Sequence, residues 1–443
     1  MRRRSKRRAK KSSTKKYATI TELPNEILLM ILSALDTIDL YTLAVVCKRL
    51  HYTALPIYLS KFDLKQAAES LLFTQKNLPG IRGLRLALFV NTLDRVQLSV
   101  DSLQNAGPKG KYLLSTQRLL SRMSRISSID LSVPAHLSWT SAVHTSTMQN
   151  FLNILPGKSC QQLTISGEGI VDFFADPKAE MQILNSLQQV TFNSSFLFRP
   201  PYLRWMVESL NASPIHSLNI RYLGDTCNLL SSLHMPYLED LSFSCQVYGK
   251  SQRIDLAAFL GRHDKLRTLA LHPLGTSHCA PLETGISGLV ELKGDIPILL
   301  NLLSGPKAFQ LLNSVTVAPV LVSSTQLAQF FKYLAQTTVS HLSLSLNHDS
   351  TFEKWITLSS YNLRNSGARV ETQLIHLTSL ELVLGADASI LSKIPKWLAL
   401  FPALASVSFS GYCQHSSPQQ ARATLVEDIN AIPLNADLKN LGD

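Results

Sequence analysis

The sequence predicts an α/β protein, with a short three-helix unit near the N-terminus followed by an irregular stack of strand–helix units. Three observations lead there. The stretch LPNEILLMILSAL, Leu23 to Leu35, would be apolar on nearly every side of a helix, leaving one strip for Glu26 and Ser33. The pattern apolar-x-x-apolar-x-apolar then recurs along the chain at steps of roughly 25 to 45 residues. Between its copies lie helix-like apolar segments, YLRWMVESL, LAAFLGR, IPILLNLL, LAQFFKYLAQ and IPKWLALF.

Composition bounds the answer. The chain has 443 residues, 45% of them hydrophobic and 17% charged, which suits a folded protein too long for one compact core. The net charge of +12 is unevenly placed: residues 1–16, MRRRSKRRAKKSSTKK, hold ten Lys or Arg and no acid, so the rest is nearly neutral. The expected division is a disordered basic tail at 1–18, a helical unit at 19–64 and a stacked array at 65–443. The cluster Arg2, Arg3, Arg4, Lys6, Arg7, Arg8, Lys10 and Lys11 has three readings, as a nuclear import signal, a contact for an anionic surface, or a solubilising tail. The expected location is nucleus and/or cytoplasm. ILLMILSAL after a basic start imitates a secretory signal, but Pro24, Asn25 and Glu26 stand at its entrance and patterned sequence continues past Asp39. No later run approaches the roughly 18 apolar residues of a membrane span, so no membrane partner is expected. Cys47, Cys160, Cys227, Cys245, Cys279 and Cys413 form no close pairs, which suits buried thiols rather than a disulfide framework or a zinc site.

In the helical unit the first helix starts near Pro24 and Asn25. Asp39 is placed to cap a second, whose Leu40, Leu43, Val46, Cys47 and Leu50 follow three- and four-residue steps. Pro56, in ALPIYLSKFDL, marks a break. A unit this small has little interior, and its first helix offers more apolar surface than two neighbours can cover. The rest of the chain can shield one side, and a partner protein is expected on the other.

This segment, from Ile20 to Leu64, resembles an F-box: the Leu-Pro opening, the apolar helix, the acidic-Leu step at Asp39-Leu40 and VCKRLH occur in that order. Many F-boxes place a Trp near the last element or the end, where this chain has Leu50 and Tyr58. The resemblance implies docking onto the Skp-type adaptor of an SCF ubiquitin ligase, and through it onto cullin and RING subunits. By position it puts Leu23, Pro24, Ile27, Leu28 and Ile31 at the adaptor interface. Leu40, Val46, Cys47 and Leu50 would contribute to the interface or to packing beneath it.

The repeated pattern centres on Leu84, Ile129, Leu163, Val190, Leu218, Leu241, Leu269, Val315, Leu342, Leu380 and Val407, with a degenerate copy near Leu289. One short strand and one helix per unit is an arrangement that resembles leucine-rich repeats. Only Asn347 sits where that family's consensus puts Asn or Cys, so an irregular solenoid is expected. A single unit buries too little apolar surface to offset the entropy of ordering it, and neighbours must share faces. If the central residues point inward, the open strand face is rich in hydroxyls, as at Ser217, Asn219, Ser242, Ser244, Ser343 and Ser408. That surface lacks the clustered cations and stacking aromatics of a nucleic-acid site, and an unknown protein target is expected there. The larger outliers Arg85, Arg221, His272, His341 and Glu381 are its candidate contacts.

No phosphate-binding loop, nucleophile elbow or complete dinucleotide motif is present; GEGIVD stops at two glycines. His272, His278 and Cys279 in HPLGTSHC match no common metal-site spacing. No cofactor, metal or catalytic residue is expected. The leading expectation is a non-catalytic substrate-recognition subunit of an SCF-type ligase, and the alternative is a nuclear scaffold that binds a partner without ubiquitin transfer.

Overall fold

The computed structural model describes residues 20–64, 69–73, 77–99, 110–133, 148–167, 180–200, 202–223, 229–246, 256–272, 286–305, 309–318, 323–346, 374–384, 394–398 and 401–410. The basic cluster from Arg2 to Lys11, Asn347, His278 and Cys279 lie outside the described residues.

A 3-10 turn at Ile20–Glu22 leads into helices α1 (Asn25–Ala34), α2 (Thr37–Ala44) and α3 (Lys48–Ser60). Pro24 stands at the N-cap of α1, where its missing N–H costs nothing. The cap of α2 is Asp36 rather than Asp39: the Asp36 carboxylate accepts from the Asp39 N–H at 2.8 Å. Asp36 has the extended backbone a cap needs, whereas Asp39 already lies in the first turn. Pro56 does not break the chain either. It sits inside α3, exposed, so its ring and the lost hydrogen bond face solvent while Leu55, Tyr58 and Leu59 hold the buried side.

His51 ties the unit together. Its Nδ1 lies 2.9 Å from the Ala44 carbonyl, and its Nε2 accepts from the Leu88 N–H at 3.2 Å. The two contacts fix one neutral tautomer, with Nδ1 donating.

Among the described residues one parallel 13-stranded sheet runs beyond the helices, and every strand in it pairs with the next in the sequence. Its strands are β1 (Ser70–Phe73), β2 (Thr92–Ser99), β3 (Arg125–Ser132), β4 (Gln162–Gly167), β5 (Gln189–Ser194), β6 (Ser217–Leu223) and β7 (Asp240–Gln246). They continue as β8 (Thr268–His272), β9 (Glu291–Gly294), β10 (Ser314–Val317), β11 (His341–Leu346), β12 (Ser379–Leu384) and β13 (Ser406–Ser410). The helix-like segments between them form helices at Tyr202–Ala212, Leu256–Leu260, Ile296–Leu303, Ser324–Leu334 and Ile394–Leu398.

The register explains the repeat. Ile129, Leu163, Val190, Leu218, Leu241, Leu269, Leu292, Val315, Leu342, Leu380 and Val407 pair in one continuous row across β3 to β13. Leu71 and Val96 extend the row through β1 and β2. No residue of this row is more than 4% exposed. The position near Leu289 resolves into β9, whose row member is Leu292, three residues later.

One copy is misplaced by the pattern. The first six residues of IRGLRLAL lie in helix α4 (Leu78–Leu86), so Leu84 and Arg85 are helical and not on the sheet. Pro79 in the first turn favours a helix start. Gly80 and Gly83 let that helix press onto the three-helix unit, since a Cβ at Gly83 would lie 2.5 Å from Tyr58 Cε1 and one at Gly80 2.5 Å from Leu64 Cδ1. The strand of this unit falls instead on Thr92–Ser99, where Leu93, Val96 and Leu98 are buried.

Cations close successive units. Arg122, the last residue of α5 (Gly110–Arg122), donates to the Arg85 and Ala87 carbonyls and to that of Val90 at 2.7 Å. Lys158 reaches the Ser121 and Met123 carbonyls at 2.8 and 2.6 Å, and Arg262 that of Leu230 at 3.1 Å. Carbonyls at the ends of helices and turns lack helical partners, and the side chain one unit along supplies the missing donors.

His263 repeats the bridging geometry of His51. It is 1% exposed, its Nδ1 faces the Phe259 carbonyl at 2.7 Å, and its Nε2 accepts from Met235 N–H at 3.1 Å. Burial, foremost, holds its pKa below the ordinary 6.5. Between the lowered folded value and 6.5 the unfolded chain binds a proton that the folded chain excludes, so acid favours unfolding. His272 shifts the same way, again mainly through burial. The thermal midpoint is therefore expected to hold steady just above about pH 7 and to fall as the pH drops below about 6.5. A His263→Gln variant should show a shallower fall, and an unchanged slope would exclude this histidine as the cause.

Candidate functional site

At 100° per residue, α1 has two apolar sides. Leu28 and Leu32 are 0% exposed and share the core with Leu40, Ala44, Leu50 and Leu55. On a second side Ile27, Met30 and Ile31 form an i, i+3, i+4 stripe without charge. Met30 is 69% exposed, and Ile27 and Ile31 are also exposed. Leu29 is exposed on the flank, beside the strip of Glu26 and Ser33. Ile38 at 74% on α2, and Val45 and Val46 at its end, are further exposed apolar side chains of the same unit. Exposed apolar residues grouped in this way mark a surface that another molecule covers.

The stripe is held rigidly. Arg49 of α3 donates to the Leu23 carbonyl and to Asn25 Oδ1 at 2.8 Å, gripping the start of α1. Lys61, just past α3, donates to the Leu35 carbonyl at the other end. Both ends of α1 are thus held by α3 and the residue after it, so the backbone of α1 needs little further ordering before a partner arrives. The Tyr58 hydroxyl donates to the Pro79 carbonyl at 2.6 Å, joining this unit to α4 and so to the start of the sheet.

The adaptor residues expected from the sequence separate into layers. Pro24, Ile27, Ile31 and Val46 are exposed, and Leu23 and Cys47 are half-buried. Leu28 does not reach the surface expected for it, because its angle on α1 aims it at α2 and α3. Leu40 and Leu50 are likewise buried, in the packing beneath the surface. Leu29, Met30, Ile38 and Val45 are exposed apolar residues that the motif did not single out. For Met30 the signal was its three-residue step from Ile27.

The second group of candidates lies on the open face of the sheet. Arg85 does not belong there, being on α4 with its carbonyl bound by Arg122. Arg221 pairs across Ser244 with His272, so these two share one row on adjacent strands β6, β7 and β8. His341 lies on β11 and Glu381 on β12, opposite Ser379 and Ser343. The four do not converge, as β8 and β11 stand three strands, or about 14 Å, apart. Lys293, on the strand that the pattern misplaced, was missed. It pairs with Ala270 and so lies on the face of His272, and its charge together with that of Arg221 adds to the burial that lowers the His272 pKa.

Among the described residues no group of three His, Cys, Asp or Glu is arranged to hold a metal ion, and no helix is long and apolar enough to cross a membrane. Burial pushes the Cys160 thiol up to about 12, which keeps it protonated and a poor nucleophile.

Truncation should separate the two sides of α1. Leu28→Ala is expected to destabilise the helical unit by about 2–5 kcal/mol, and Met30→Ala by less than about 0.5 kcal/mol. Hydrogen exchange of the α1 to α3 amides measures both, and similar losses for the two would contradict the assignment of sides.

Comparison of the whole chain with curated proteins finds no match. Residues 20–61 match the family model described as F-box-like, a span that starts at the 3-10 turn and closes just past α3. The chain therefore carries an F-box-like domain, which supports an F-box protein with a parallel strand sheet behind it.

Proposed function

We propose that this chain is the substrate-recognition subunit of an SCF-type ubiquitin ligase. The F-box-like domain docks onto a Skp-type adaptor, which links it to cullin and RING subunits. The sheet, read as an irregular leucine-rich-repeat solenoid over residues 65–443, offers its open face to a protein target. The observation that carries this reading is the exposed, uncharged stripe Ile27–Met30–Ile31, within the segment that matches an F-box-like model. F-box domains generally bind Skp-type adaptors, and an apolar stripe is what such an adaptor needs to bury. The chain then acts by proximity: it raises the effective concentration of a target lysine near the charged conjugating enzyme and supplies no catalytic group of its own. A nuclear scaffold that binds its partner without ubiquitin transfer is the second reading, favoured by a complex that forms with adaptor and target yet yields no ubiquitin chains. The basic tail directs the protein to the nucleus in this proposal.

Replacing Ile27 and Ile31 together with Asp places two carboxylates where the adaptor would desolvate them. Adaptor affinity is expected to fall at least about a hundredfold while the circular dichroism spectrum stays unchanged, since both side chains are exposed. Retained affinity in a pull-down would refute the docking face. Deleting residues 2–16 should reduce nuclear accumulation of a fluorescent fusion, and an unaltered distribution would favour a merely solubilising tail.

A further inference from the structure

We propose that Met30 is an oxidation site: hydrogen peroxide converts its thioether to the sulfoxide, and the change weakens docking of the adaptor. This deepens, and rests on, the reading of the Ile27–Met30–Ile31 stripe as the adaptor-docking face.

Accessibility singles Met30 out. The chain has seven methionines. Met123, Met148, Met206 and Met235 are at most 1% exposed, and Met181 is partly buried against the same core. Met1 lies outside the described residues. Met30 is 69% exposed. An oxidant must reach the sulfur, so among the described residues the thioether open to peroxide is the one on the docking face. The free thiols described are less open to it: Cys47 is half-buried, and Cys160 is buried with its thiol held protonated.

The step is a two-electron oxygen transfer. The sulfur lone pair attacks one peroxide oxygen, the O–O bond breaks, an S–O bond forms, and water leaves with both hydrogens. A methionine sulfoxide reductase reverses it by drawing two electrons from a dithiol, which becomes a disulfide as the oxygen departs in water.

The surroundings decide what the product does. A sulfoxide oxygen is a strong acceptor, and a partner that covers it strips its water. No donor on α1 stands ready to replace that water. Glu26, one turn before Met30 on the same side of the helix, is an acceptor when ionised and repels the new oxygen. Ser33 donates its hydroxyl to the Met30 carbonyl at 2.8 Å. Ile27 and Ile31 are aliphatic. The oxidised stripe therefore loses its apolar character at its most exposed member, while Leu28 and Leu32 keep the helix packed from the other side.

The test uses the full-length chain and a purified Skp-type adaptor. The chain is treated with hydrogen peroxide and then with dithiothreitol, which reverses disulfide and sulfenic-acid formation but leaves sulfoxides. Peptide mass spectrometry should show oxygen gained at Met30 before any buried methionine, and bound adaptor should slow that gain. Adaptor affinity should fall at least about tenfold, with the circular dichroism spectrum unchanged, and a sulfoxide reductase should restore it. A Met30→Leu chain should lose the response, its affinities before and after peroxide agreeing, whereas Met30→Gln should weaken docking without peroxide. Full affinity with Met30 oxidised, no protection of Met30 by bound adaptor, or a Met30→Leu chain as sensitive to peroxide as the wild type would each overturn the proposal. Where the untreated chain captures adaptor, such a result removes this inference alone. An untreated chain that captures no adaptor removes the docking reading, and this inference with it.

Discussion

The constraint on which the structure depends is that no strand in the sheet can shelter its own inward side chains. Each contributes one or two apolar residues, and each of these is covered only because its neighbours carry an equivalent residue at the same register. The row from Leu71 to Val407 is the outcome, a continuous aliphatic seam that runs the length of the sheet. A slip of one residue in any strand would turn its apolar residue toward the open face and break the seam. Stability of such an array is shared between neighbours rather than stored in a local core, and the cations that bind the carbonyls of the preceding unit, at Arg122, Lys158 and Arg262, reinforce that sharing.

The N-terminal unit solves a different problem with the same economy of elements. Helix α3 touches everything: Arg49 and Lys61 hold the two ends of α1, His51 bridges the end of α2 to Leu88, and Tyr58 joins α4. The tight seating of α4 over Tyr58 at Gly83 couples the unit to the first strands. An apolar stripe on α1 is thereby presented on a fixed support. In the proposed role of holding two partners in a set relation, the joint between the helical unit and the first strands bears on both binding surfaces.

The open face shows how a regular scaffold becomes specific. Most of its positions carry hydroxyls or amides, as at Thr164, Thr191, Asn219, Ser242 and Thr316, which suit a wet, adaptable surface. Charged residues on this face include the Arg95–Asp130 pair at 3.9 Å near the start of the sheet, Asp240 and Glu291 at the starts of β7 and β9, Arg221 and Lys293, and Glu381 toward the end.

The repeating apolar spacing by itself determined that strands and helices would alternate, and it fixed the inward residue of ten strands from Ile129 onward, because a period-two alternation around a hydrophobic centre leaves one way to face a core. It also marked the helical unit and its family resemblance, since the order of Leu23-Pro24, the apolar run and Asp39-Leu40 is local in the chain. It could not distinguish IRGLRLAL as a helix from a strand, as the same spacing satisfies both, and only the close packing of Gly80 and Gly83 against the preceding helices decided it. Nor could it tell which apolar residues of α1 face inward: Leu28 and Met30 are both apolar and only two residues apart, yet the packing of α1 on the other helices buries one and exposes the other. The placing of Arg221 and His272 in one row was likewise tertiary, because residues some 50 positions apart come to share a row only when strands pair in register.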